Sequence, residues 1–277
     1  MSVGVATFGA VKVTVADGVG LNVRHTVGAA APAFLLVHGL ASNARLWDGV
    51  AAALAAAGHP SYAVDLRGHG ESDLPDQGFD TATAARDLAS VIASLGLDRP
   101  VVAGQSWGGN VVVELAATHP ALVRALALVD GGWIDLPAEF DSWPACAAAL
   151  RPPDVNGWRA DDLRARLLAG HPDWSAAAVD ATLANLRVGP DGRLSRRLPV
   201  ERHMEILRSM WDHPPGRWFP RLTMPVLLLP AGDPARVASA AAAIPSATVR
   251  AYAGGDHDLH AQQPDRLAAD LLTLVRS

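Results

Sequence analysis

The sequence predicts an α/β fold, a mostly parallel central sheet flanked by helices, and three observations carry that expectation. Short apolar runs at 34–37, 62–64, 101–103 and 125–129 alternate with stretches of helical length and period, the pattern of parallel strands joined by crossover helices. Strand-like text stops near residue 135 and resumes at 225–230 and 247–252, so one sheet brackets a helical insertion. Half of the 277 residues are hydrophobic and 18% are charged, which supplies a core for one large domain and argues against disorder.

In chain order, 11–15 and 21–27 are β-rich runs separated by the turn signal Asp17-Gly18 and read as an antiparallel hairpin. After the strand at 34–37, Ser42 is placed to cap a helix faced by Leu46, Trp47, Val50 and Leu54 and ended by Gly58. Another helix starts just after Ser106 and stops before Pro120. Between 135 and 220, helical pieces are separated by Pro- and Gly-containing joints. A last helix is opened by Pro264 and faced by Leu267, Leu271 and Val275. The expected organisation is a core of residues 1–134 and 221–277 with a helical cap at 135–220, between the sixth and seventh strands.

Charge and composition narrow the function. With 23 basic and 28 acidic residues the formal charge is −5, which offers no general attraction to nucleic acid or to an anionic membrane. Cys146 is the single cysteine, so an intrachain disulfide and a Cys-rich zinc site are excluded, and it reads as a small apolar filler. The uncharged stretch 25–44 is interrupted by His25, Pro32, His38, Ser42 and Asn43, unlike a membrane span. Met1 to Val15 show no basic leader followed by an apolar block, so the expected compartment is the cytoplasm. Dinucleotide, P-loop, EF-hand and H-E-x-x-H texts are missing, and neither a metal nor a cofactor is expected.

The strongest chemical signal is Gly104-Gln105-Ser106-Trp107-Gly108, a G-x-S-x-G between a strand and a helix. A nucleophilic serine must stand clear of the sheet on a sharp turn, and flanking glycines relieve the crowding there. The helix behind it directs its first N–H groups and positive dipole end at the place where an oxyanion would form.

Here the chain resembles the α/β-hydrolase family, over almost its whole length. His38-Gly39 looks like the family's HG motif, and residues 65–72, DLRGHGES, look like its D-x-R-G-x-G-x-S segment. Leu229-Pro230-Ala231-Gly232-Asp233 resembles its acid-bearing loop, and Gly255-Asp256-His257 ahead of Gln263-Pro264 resembles its histidine loop. The resemblance implies the order nucleophile, acid, base. Ser106 is then the nucleophile, His257 the preferred base and Asp233 the preferred acid. Asp130 at the end of the sixth strand is the alternative acid, and His260 a pocket-edge or helix-start residue. It also implies an oxyanion hole made by the backbone N–H groups of Leu40 and Trp107, while His38, Asp65 and Arg67 read as fixing loops nearby.

A serine needs a base within reach and an acid to orient that base, so this set implies a cofactor-free serine hydrolase of a carboxylic ester, lactone or related acyl bond. The alternatives are a carbon–carbon bond hydrolase of dicarbonyl compounds, a cofactor-free perhydrolase and a non-catalytic receptor for small molecules. Six of the eight tryptophans, Trp133, Trp143, Trp158, Trp174, Trp211 and Trp218, fall in or beside the insertion. Trp133, Trp143, Trp158, Trp211 and His260 are the expected pocket residues, and the expected substrate is a small neutral molecule, apolar or aromatic.

Overall fold

The protein is described as a computed structural model over residues 7–276. Residues 1–6, part of the stretch read for a leader, lie outside the described residues. The chain opens with a hairpin of β1 (Phe8–Thr14) and β2 (Gly20–Thr26), followed by β3 (Phe34–Val37), α1 (Asp48–Ala56), β4 (Ser61–Val64) and α2 (Thr81–Ser94). Then come β5 (Val101–Gln105), α3 (Trp107–Thr118) and β6 (Ala125–Val129). The insertion carries α4 (Leu136–Glu139), α5 (Trp143–Ala149), α6 (Ala160–Gly170), α7 (Ala176–Leu183), the strands β7 (Leu186–Val188) and β8 (Leu194–Arg196), and α8 (Val200–Asp212). The chain closes with β9 (Val226–Leu229), α9 (Ala238–Ala243), β10 (Ala247–Val249), α10 (Leu259–Gln262) and α11 (Pro264–Leu272).

Eight strands form one sheet in the order β1-β2-β4-β3-β5-β6-β9-β10. The pairs β1·β2 and β2·β4 are antiparallel and the others parallel, as the alternation of apolar runs with helices requires. Successive side chains of a strand face opposite ways, so each inner strand feeds two layers. Phe34 and Leu36 of β3 join Leu54 of α1 and Leu267 of α11 on one face, whereas Leu35 and Val37 join Leu88 of α2 and Val112 of α3 on the other. Burial on both faces is why these strands are continuous apolar runs and not alternating ones.

Two local expectations change. The helix expected from Ser42 splits into a 3₁₀ turn, Ala44–Trp47, and α1, and its cap is Asn43, whose Oδ1 accepts from Arg45 N at 2.9 Å. The insertion is not purely helical, because β7 and β8 pair as an antiparallel hairpin around Gly189-Pro190-Asp191-Gly192, a turn text that the helical reading overlooked. Cys146 is fully buried among apolar side chains, as a filler should be. No described helix is long and apolar enough to cross a membrane.

Candidate active site

The carboxyl ends of β3, β5, β6 and β9 meet at one edge of the sheet, and their loops build the site. Ser106 stands between β5 and α3 at φ 53° and ψ −127°, a region that side-chain-bearing residues rarely occupy and that persists only where surroundings impose it. The surroundings are tight: a Cβ on Gly104 would lie 2.4 Å from Gly108 O, and one on Gly131 would lie 2.2 Å from Ser106 O. The glycines on both sides therefore let the β6 loop close over the elbow.

Trp107 occupies the first position of α3, where a helix's N–H groups lack intrahelical acceptors. Across from it, the Gly39–Ala41 loop is pinned by two buried histidines. His38 Nδ1–H donates to Gly39 O at 2.7 Å while its Nε2 accepts from Leu66 N at 3.0 Å. His69 Nδ1–H donates to Arg67 O at 2.8 Å while its Nε2 accepts from Ala41 N at 3.1 Å. These pairings need neutral rings, and burial drives the pKa of His38 down to about 4 and that of His69 to about 3. Asp65 accepts from Ala44 N at 2.7 Å, and Arg67 is clasped by Asp87, so these motif residues hold loops in place.

His257 carries the titratable centre. Its Nδ1 lies 2.7 Å from Oδ2 of Asp130, and its carbonyl accepts from Gln105 Nε2 at 3.0 Å, which leaves Nε2 free of both. Burial pulls the imidazole pKa down, but the hydrogen bond to Asp130 and the charges of Asp258 and Asp130 outweigh it, and the net shift is upward.

The expected pairing of Asp233 with His257 is not formed. Asp233 is exposed and its Oδ1 accepts from Ala235 N at 2.8 Å, capping the 3₁₀ turn Pro234–Val237. Asp130 takes the place beside the imidazole. It directly follows β6, is 4% exposed and has φ 38°, a second forced backbone at the same edge. Its Oδ1 accepts from Ala231 N at 3.0 Å and from Arg236 Nη1 at 3.1 Å.

A cavity of about 350 Å³ collects Ser106, His257, Asp130, Leu40 and Trp107. Of the expected pocket residues only Trp133 lines it; the rest of the apolar wall comes from Ile134, Leu136, Leu150, Leu207 and Met210. Trp143 and Trp211 pack edge-on at 6.1 Å, and Trp158 is 39% exposed beneath Arg166. His260 is 1% exposed against Trp47, its pKa lowered by burial to about 3. The sequence reading missed Gln105, buried beside Ser106 and tied to the histidine loop, and Arg236; neither stands at a motif position that marks chemistry.

A family model described as alpha/beta hydrolase fold matches residues 32–264. The chain belongs to the α/β-hydrolase family. An esterase of Mycobacterium tuberculosis is 39% identical over 104 residues, 37% of this α/β-hydrolase and 34% of that protein. The 2-(acetamidomethylene)succinate hydrolase of Mesorhizobium japonicum is 34% identical over 110 residues, 40% of this chain and 38% of that one. The matches to these two curated relatives thus span little more than a third of their length. A crystal structure of E-2-(acetamidomethylene)succinate hydrolase superposes on this α/β-hydrolase with a TM-score of 0.82 at 23% identity, covering 98% of this chain and 100% of that one, a likeness of fold.

Proposed function

We propose that this α/β-hydrolase is a serine hydrolase of a carboxylic ester, lactone or related acyl bond, with Ser106 as nucleophile, His257 as general base and Asp130 as the acid that orients it. The observation that supports it most is Ser106, held at φ 53° on the strand-to-helix turn, in one cavity with an imidazole whose Nδ1 is fixed by a buried carboxylate. With its Nδ1 proton donated to Asp130, His257 offers the Nε2 lone pair to the serine hydroxyl. Ser106 Oγ attacks the carbonyl carbon and Nε2 takes the proton. The oxyanion develops between Leu40 and the start of α3, where the Leu40 and Trp107 N–H groups are its donors. Collapse expels the alcohol, to which His257 returns the proton. Water, deprotonated by His257 in turn, then cleaves the acyl-enzyme and releases the acid. A mostly apolar wall favours a neutral acyl group, and each added methylene that fits contributes about 0.8 kcal/mol.

The test is labelling with a fluorophosphonate probe, followed by turnover of p-nitrophenyl esters of increasing acyl length, lactones and dicarbonyl compounds. Wild-type protein is expected to label and to prefer medium-length or aromatic neutral esters, and Ser106→Ala and His257→Ala to lose turnover while staying folded. Full turnover by Ser106→Ala overturns the reading, and preference for carboxylate-bearing dicarbonyl compounds moves it to carbon–carbon bond hydrolysis.

A further inference from the structure

We propose that Arg236 is a positioning residue for the Asp130–His257 pair, fixing the carboxylate from the side opposite the imidazole. The proposal rests on the serine-hydrolase reading above. Arg236 Nη1 donates to Asp130 Oδ1 at 3.1 Å and to Ala231 O at 3.0 Å, and Ala231 N donates to the same Oδ1 at 3.0 Å. One carboxylate oxygen is thus held by two donors and the other is left to His257 Nδ1 at 2.7 Å. A carboxylate on a short side chain turns freely about its last bond, and donors on one oxygen fix the plane in which the second is presented. The Ala231 donor is backbone and available to any residue type, so Arg236 is the half of the clamp that depends on side-chain identity. The turn that carries it, Pro234–Val237, is capped by Asp233. The loop where an acid was expected supplies the buttress of the acid instead.

The charges around His257 give this clamp a second consequence. The imidazole is faced by Asp130 from the end of β6 and by Arg236 from the turn after β9. Asp258 and Asp256 flank it on its own loop, His171 of the insertion lies 3.4 Å from Asp256, and buried His260 is close enough to be affected by its charge. Glu139 of α4 senses Arg236. The Arg236 cation opposes protonation of His257 and so favours the free base. Its loss removes that opposition and makes the imidazole easier to protonate while Ala231 N still holds Asp130 Oδ1, and it loosens the plane in which Oδ2 is presented.

The experiment compares wild type, Arg236→Gln and Arg236→Lys on a neutral ester across pH, with Ser106→Ala alongside. Arg236→Gln is expected to lower kcat about ten- to a hundredfold, as small misplacements of catalytic groups do, with KM little changed. It should also move the midpoint of kcat/KM to higher pH. Arg236→Lys should restore the midpoint and part of kcat. Because Arg236 is 53% exposed, its variants should fold, and denaturant unfolding checks that. A midpoint unmoved in Arg236→Gln overturns the proposal, as does a change confined to KM for carboxylate-bearing esters, which makes Arg236 a substrate receptor. Turnover by Ser106→Ala would instead remove the underlying hydrolase reading.

Discussion

The loops after β6 and β9 begin alike and end in different chemistry. Each leaves a fully buried apolar parallel strand and reaches an aspartate beside a glycine, Asp130-Gly131 in one and Gly232-Asp233 in the other. Asp130 is the first residue past its strand, and the neighbouring β9 loop and the histidine loop close around it. Asp233 is four residues past the end of β9, and by then the chain has turned outward, so its carboxylate meets solvent and its own helical turn. Distance from the sheet edge, not the wording of the loop, decides which carboxylate is desolvated and held. The two are also complementary, since Ala231 and Arg236 of one loop bind the aspartate of the other.

The strongest way to break this comparison is to neutralise each aspartate in turn. Asp130→Asn should cost on the order of 10⁴ in kcat, because the amide stabilises the wrong histidine tautomer and cannot balance the imidazolium. Asp233→Asn should leave kcat within about twofold, as exposed substitutions away from a site do. Steady-state kinetics on one neutral ester decides it, and the opposite ranking would return the acid to the β9 loop.

Why the carboxylate beside His257 was not legible while the Ser106 turn was follows from the range of the interactions. A strand-to-helix turn is local: the glycines and the serine lie within a few residues, and Ser106 could be read from them. The Asp130–His257 contact joins residues 127 positions apart, and nothing in ALALVDGG distinguishes a strand end that faces the histidine from one that does not. The mostly parallel sheet, its flanking helices and the span of α3 were legible because periodicity records burial. The pocket wall was not. Tryptophan content identified the insertion as aromatic, but whether an indole faces the cavity, as Trp133 of the loop after β6 does, or pairs with its neighbour, as Trp143 and Trp211 do, depends on how each segment packs. His260, expected at the pocket edge or at a helix start, stands at the start of α10 and outside the cavity, with its ring turned inward onto Trp47.

A pH profile sharpens the contrast at smaller amplitude. The base acts when neutral, so kcat/KM should rise with pH through the His257 midpoint. Because the Asp130 contact and the charge of Asp258 more than offset burial, that midpoint should lie above the ordinary imidazole value of about 6.5. In Asp130→Asn the residual activity should show a midpoint at lower pH, since two of the upward influences are gone. In Asp233→Asn the profile should be unchanged. A wild-type midpoint below 6.5 would mean that desolvation outweighs the carboxylates.

The smallest effect belongs to Asp233, and it should appear in stability alone. Its Oδ1 satisfies the Ala235 N–H at the start of the Pro234–Val237 turn, one of the donors that a helical start leaves without an internal partner. Pro234 follows it at the first position, where a missing N–H is harmless and the fixed φ suits the turn. Removing the cap with Asp233→Ala should cost about 1 kcal/mol in denaturant unfolding, whereas Asp233→Asn, which caps equally well, should cost little. Neither change removes a group from the cavity, so kcat should hold in both. If the alanine variant also lost kcat and moved the pH midpoint upward, the cap would be acting through Arg236, whose turn it starts, and the two loops would be coupled through the capping hydrogen bond as well as through the ion pair to Asp130.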